Sequence, residues 1–124
     1  MENAGFTLKD DDVALLLDIA NLACHKGMPA EARTIADGVL AVRPGFAPAV
    51  ITLAYSHLVV NDFATALDML ASLLEQRPDD ADALLVQGLA YMLDERRDEA
   101  ENAFARIPEG CPQKSLAMEL VREL

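Results

Sequence analysis

Tryptophan is missing from this 124-residue chain, and two tyrosines and four phenylalanines leave aromatic residues at 5% of it. A core must therefore be built from Leu, Ala, Val and Ile, which a hydrophobic content of 52% supplies amply. Basic residues are scarce: 10 Lys and Arg stand against 21 Asp and Glu, for a net charge of −11. Binding a polyanion relies on Lys and Arg displacing counterions, so nucleic acid is excluded as a partner. An anionic membrane surface is disfavoured on the same ground. Cysteine is limited to Cys24 and Cys111, too few for a disulfide framework. Long apolar runs are also lacking. Residues 47–60 are interrupted by Thr52, Ser56 and His57 and fall short of the ~20 residues that a bilayer span requires. The first dozen residues are acidic where a secretory signal would be basic, so the expected compartment is a reducing cytoplasm.

Motifs that carry chemistry are equally thin. Asp10, Asp11 and Asp12 precede the first apolar-periodic run, where carboxylates cap a helix and favour the positive end of its dipole. Asp79, Asp80 and Asp82 stand where another helix begins and read the same way. Cys24 and His25 are adjacent, and adjacent helical residues point about 100° apart, a poor start for a shared metal site. The glycines have no phosphate-binding spacing. No catalytic residue, metal ligand or cofactor is expected, and the chain reads as non-enzymatic.

What the chain does have is a period. Pro44, Pro78 and Pro112 stand 34 residues apart, as do Ala32, Ala66 and Ala100, and the small residues Ala20, Ala54 and Gly88. Each unit reads as two helices. The first unit predicts helices from 13 to about 26 and from Pro29 to Arg43, with Gly27 between them as a left-handed stop. Leu16, Ile19, Ala20 and Ala23 form the predicted buried face of the first helix. The second unit predicts helices over 47–60 and 63–76. Its turn holds Asn61, 34 residues after Gly27 and next most tolerant of the left-handed region. The third predicts helices over 81–94 and 98–107, with Gln87 in place of a large apolar residue and Pro108 ending the unit early. A last helix over 113–123 carries Leu116, Leu120 and Leu124 at i, i+4, i+8, suited to covering the apolar end of an open stack.

A helix–turn–helix unit of 34 residues with small and proline positions in this order resembles the tetratricopeptide repeat. The resemblance covers residues 13–112, as three repeats at 13–46, 47–80 and 81–112. Residues 1–12 form an N-terminal segment expected to be mobile, and 113–124 a C-terminal capping helix. The implied fold is all-α, a short right-handed solenoid of three tandem repeats. Its most specific residues are Leu53, Ala54, Ala66 and Pro78, then Gly88, Tyr91, Ala100, Phe104 and Pro112.

In this family the first helix of each repeat lines a concave, partner-binding surface. The resemblance places Leu17, Asn21, Cys24, Ile51, Tyr55, Leu58, Leu85, Leu89 and Met92 there, with Ala14, Pro48 and Asp82. Relatives that clamp acidic C-terminal tails use Lys, Arg and Asn in that groove, whereas this chain has Leu17, Thr52 and Asp82. An apolar groove suits the apolar face of an amphipathic helix. A small, acidic, three-repeat protein of this kind is similar to the needle-subunit chaperones of bacterial type III secretion. The resemblance implies a cytoplasmic chaperone that holds an amphipathic helix of the needle subunit and blocks its polymerisation. A small helical co-chaperone on the N-terminal part of the repeats is implied with it. The alternative is a general adaptor, or a self-associating module whose groove is filled by Phe6 and Leu8, by the last helix or by a second copy.

Overall fold

A computed structural model describes residues 8–124 of the chain. Seven helices and no strands make up these residues: α1 (Asp10–His25), α2 (Pro29–Val42), α3 (Ala47–Leu58), α4 (Phe63–Gln76), α5 (Ala81–Leu93), α6 (Arg97–Ala105) and α7 (Pro112–Arg122). They pair as α1–α2, α3–α4 and α5–α6, the all-α tandem helix–turn–helix architecture expected from the period. The first helices α1, α3 and α5 also touch one another in series, and each second helix packs on its own partner and the next first helix. The result is two layers. An inner row of α1, α3 and α5 is backed by an outer row of α2, α4 and α6.

Small side chains set this geometry. Ala20, Ala54, Ala32, Ala66 and Ala100 are completely buried, and Gly88 is buried with them. With no more than a methyl group at these places, neighbouring helices can approach closely. The turns inside the three repeats are also one device used three times. Gly27, Asn61 and Glu95 all have positive φ (76°, 65° and 60°), and the N–H of the following residue bonds back to a carbonyl five residues earlier. Those bonds are Met28 to Ala23 at 2.8 Å, Asp62 to His57 at 2.9 Å and Arg96 to Tyr91 at 2.8 Å. Each satisfies a carbonyl that a helix end leaves without a partner.

Repeats two and three share one core, from Ala47 through Leu58, Leu70, Leu84 and Phe104 to Ala117. The first repeat has two smaller clusters, one around Val13, Leu17, Val39 and Ala49, the other around Ala20, Cys24 and Ala32.

Four sequence expectations need correction. Helix α1 begins at Asp10, so the three aspartates occupy its first turn; the N-cap is Lys9, with no side-chain cap bond. They act through the helix dipole. The buried row of α1 is Val13, Leu17, Ala20 and Cys24, while Ile19 is 45% exposed. The row is turned toward α3, against which α1 packs as well as against α2. Pro112 opens α7 rather than closing the third repeat, whereas α6 stops at Ala105, ahead of Pro108, as expected. Finally, α7 buries Ala117 and packs Leu120 and Leu124 on the core, leaving Leu116 49% exposed. It contacts α5 and α6 as α5 contacts α3 and α4, and so takes the place of a fourth first helix.

Candidate functional site

The inner faces of α1, α3 and α5 enclose a groove of about 700 Å³. Its apolar lining comes from all three helices: Val13 and Leu17 of α1, Ile51 and Tyr55 of α3, and Leu85 and Val86 of α5. Residues four apart on a helix lie one above the other, so α1 and α3 each contribute a short vertical row, while Leu85 and Val86 stand side by side on α5. Pro48, in the first turn of α3, adds to the rim.

Polar groups fix the relation between the walls. The Thr52 hydroxyl donates to Oδ1 of Asn21 at 3.2 Å, tying α3 to α1 across the groove floor. Thr52 is buried, and no buried side-chain nitrogen or oxygen among the described residues lacks a hydrogen-bond partner. His25 meets Tyr55 edge-on, with ring centroids 5.6 Å apart and 3.4 Å between Nδ1 and the phenol oxygen. Burial, and after it the Cys24 sulfur, push the Tyr55 phenol above its ordinary pKa, so it remains a neutral hydroxyl. At the upper end Arg43 is held three ways. Its Nη2 lies 2.8 Å from Oδ1 of Asp10 and donates to the Leu8 carbonyl at 2.8 Å, and its guanidinium sits over the Phe46 ring. Behind the floor, Arg33 of α2 donates from Nε to the Ser56 hydroxyl at 3.0 Å and from Nη2 to its carbonyl at 3.2 Å.

Of the nine residues assigned to the groove from sequence, Leu17, Asn21, Ile51, Tyr55 and Leu85 line it. Cys24 and Leu58 lie outside it, buried in the core clusters between neighbouring helices. Both follow a groove position by three residues, a rotation of about 60° that turns them between neighbouring helices. Met92, at the same place in α5, is partly buried against the core cluster that Leu120 and Leu124 of α7 also join. Leu89 is likewise partly buried there, outside the groove. Cys24 and His25 diverge as expected, one into the core and one onto Tyr55.

Sequence reasoning found Asn21, Thr52 and Asp82 but missed four other polar residues of the lining: Asp10, Asp18, His25 and Arg43. Asp18 follows Ala14 at i+4 and lay within reach of the same helical argument. Arg43 enters from the end of α2, and nothing in the period signals it. Of the segments considered as fillers, α7 packs against α5 and α6, and Leu8 packs beside the Val13–Leu17 cluster. Phe6 and the rest of residues 1–7 lie outside the described residues; of the segment 1–12 expected to be mobile, Asp10 to Asp12 instead form the first turn of α1.

A second apolar surface lies on the outer side of α1. Leu15, Ile19 and Leu22 are 58%, 45% and 54% exposed, on the face opposite the buried row. No helix among the described residues is long and apolar enough to cross a membrane.

Comparison with known proteins gives a consistent answer. Residues 51–115 match the Tetratricopeptide repeat family. Among solved structures the chain is similar to the first TPR of Spaghetti (RPAP3) bound to the HSP90 peptide SRMEEVD. That likeness has 17% identity, covers 94% of each chain and has a TM-score of 0.76. It is also similar to the TPR domain of P58(IPK), at 18% identity and a TM-score of 0.67, over 91% of this chain and 33% of that one. At these identities the likeness is one of fold. No curated protein matches the chain in sequence.

Proposed function

The chain belongs to the tetratricopeptide repeat family, and we propose that it is a non-enzymatic protein-binding module whose inner groove takes the apolar face of an amphipathic helix. One observation carries this reading: a 700 Å³ groove whose apolar lining comes from three successive first helices. Burying a Leu- or Ile-sized side chain contributes about 1.5–3 kcal/mol, so a few anchors on one helix exceed the cost of ordering it. Left empty, the groove would be an apolar recess of the kind that marks binding surfaces.

In its finer form the partner is the needle subunit of a bacterial type III secretion system, held in the cytoplasm so that it cannot polymerise early. The acidic balance of these residues and the apolar groove support this reading. So does the exposed row Leu15, Ile19 and Leu22 on α1, a surface where a small helical co-chaperone fits. The acidic peptide held by the Spaghetti (RPAP3) domain is a poor guide to this groove, which presents Leu17, Thr52 and Asp82. The alternative is a general adaptor, or a module that pairs with its own copy through the groove.

The test replaces Tyr55 or Leu85 with Glu. Both are half-buried on the groove wall, so each variant keeps its helicity by circular dichroism and loses binding to an amphipathic helical peptide. Unchanged binding in both variants rejects the groove. A symmetric dimer in sedimentation that dissociates in both variants selects the self-pairing alternative.

A further inference from the structure

The groove reading leaves open what must flank the apolar face of the bound helix, and the charges in the lining answer that. We propose that the partner helix is cationic: apolar on the face that enters the groove, with Lys or Arg positioned to meet Asp18 on α1 and Asp82 on α5. The inference rests on the groove reading and adds the chemistry of the partner.

Four charged side chains line the groove apart from His25: Asp10, Asp18, Asp82 and Arg43. The single guanidinium is committed within the chain, to the Asp10 carboxylate, the Leu8 carbonyl and the Phe46 ring. Asp10 is thereby paired within the chain as well. Two carboxylates remain, one on each helix flanking α3. Asp18 is exposed and has no ion-pair partner among the described residues. Asp82 accepts a bond from Nε2 of Gln113 at 2.9 Å, which orients the carboxylate without cancelling its charge. A carboxylate offers about four acceptor sites, so one amide leaves room for an ammonium or guanidinium. His25 is turned onto Tyr55.

An acidic partner would therefore meet two carboxylates and no available cation. A cationic partner finds an acceptor on either side of the apolar floor, and the net charge of −11 steers it inward from a distance. The two sites lie at the solvent-exposed edge, so each contributes modestly and the preference is salt-dependent.

The experiment measures fluorescence anisotropy of three designed helical peptides with one shared Leu/Ile face and flanks of Lys, Gln or Glu. The Lys-flanked peptide binds about five- to ten-fold tighter than the Gln-flanked one, the scale of two exposed ion pairs. The Glu-flanked peptide is weakest, and the ranking flattens at high salt. In the double variant Asp18→Asn/Asp82→Asn the Lys advantage falls to about two-fold or less. A control pair on the outer layer, Asp68→Asn/Glu75→Gln, keeps it. Equal binding of all three peptides overturns the charge assignment and leaves the groove standing. Equal loss in both double variants also overturns it, since net charge alone would then be responsible. Lys-peptide binding that survives the uncharged double variant Tyr55→Ser/Leu85→Ser overturns it too, because the cation is then read elsewhere. Failure of all three peptides to bind rejects the groove and this inference together.

Discussion

The ring of Phe104 lies on the backbone of Gly88. A methyl group built at Gly88 would stand closer than 3.0 Å to three carbons of that ring, and Phe104 itself is 1% exposed. This contact joins α5 to α6 and supports the helix that presents Leu85 and Val86 to the groove.

Gly88→Ala therefore forces the ring aside and costs about 1–3 kcal/mol, despite the better helix propensity of alanine. Phe104→Ala costs about 3–5 kcal/mol through the cavity it leaves. The double variant is less destabilised than the two together, because removing the ring vacates the space the methyl needs. Urea denaturation of the four proteins measures the coupling, and strict additivity would show that the two residues do not share this contact.

Glu95 holds the left-handed turn that Gly27 holds in the first repeat, with φ of 60°. A residue with a Cβ pays about 1–2 kcal/mol for that conformation, partly offset in glycine by its freer unfolded chain. Glu95→Gly raises stability by about 0.5–1 kcal/mol, and Asn61→Gly by less, since Asn tolerates the region better. Chemical denaturation midpoints give the order.

Asp62 caps α4, accepting from the Thr65 N–H at 3.3 Å and lying 3.2 Å from Nδ1 of His57. Hydrogen bonding from Thr65 foremost, with His57 adding and burial opposing, holds its carboxyl below the ordinary 3.8. A depressed folded pKa gives stability that is present above the unfolded value and lost as pH falls through the folded one. The stability difference between the native protein and Asp62→Asn therefore shrinks as pH drops below about 4. Thermal midpoints across that window check the slope.

The two thiols differ in reactivity. Burial pushes the Cys24 thiol above its ordinary pKa, with Arg33 opposing, and the side chain is 4% exposed. Cys111 is only half-buried, its Sγ donating to the Pro108 carbonyl at 3.2 Å. One equivalent of a thiol reagent is thus consumed quickly by the native protein and the second only as the first repeat opens. Cys111→Ser removes the fast phase, which mass spectrometry of the labelled chain follows.

The scaffold was legible because its constraints recur. Small residues and turn residues must return every 34 positions for helices to stack, and Ala54, Gly88 and Ala100 say so without any structure. The site was harder. Leu17, Ile51, Tyr55 and Leu85 followed from helical spacing, whereas Cys24 and Leu58 are apolar for the core and look the same in sequence. Glu95 broke the residue pattern at its turn while keeping the backbone, so only its φ identifies it. Arg43 and Asp10 meet across 33 positions, a distance that local periodicity does not reach.

The division of the core has a mechanical consequence. Repeats two and three and α7 share one cluster, whereas α1 and α2 are held by two small ones. In a stack where each unit leans only on its neighbour, amide hydrogen exchange will be fastest in the first repeat and slowest around Leu70, Leu84 and Phe104. The α1 wall of the groove is then the first to loosen in that experiment, ahead of the α3 and α5 walls that share the larger core.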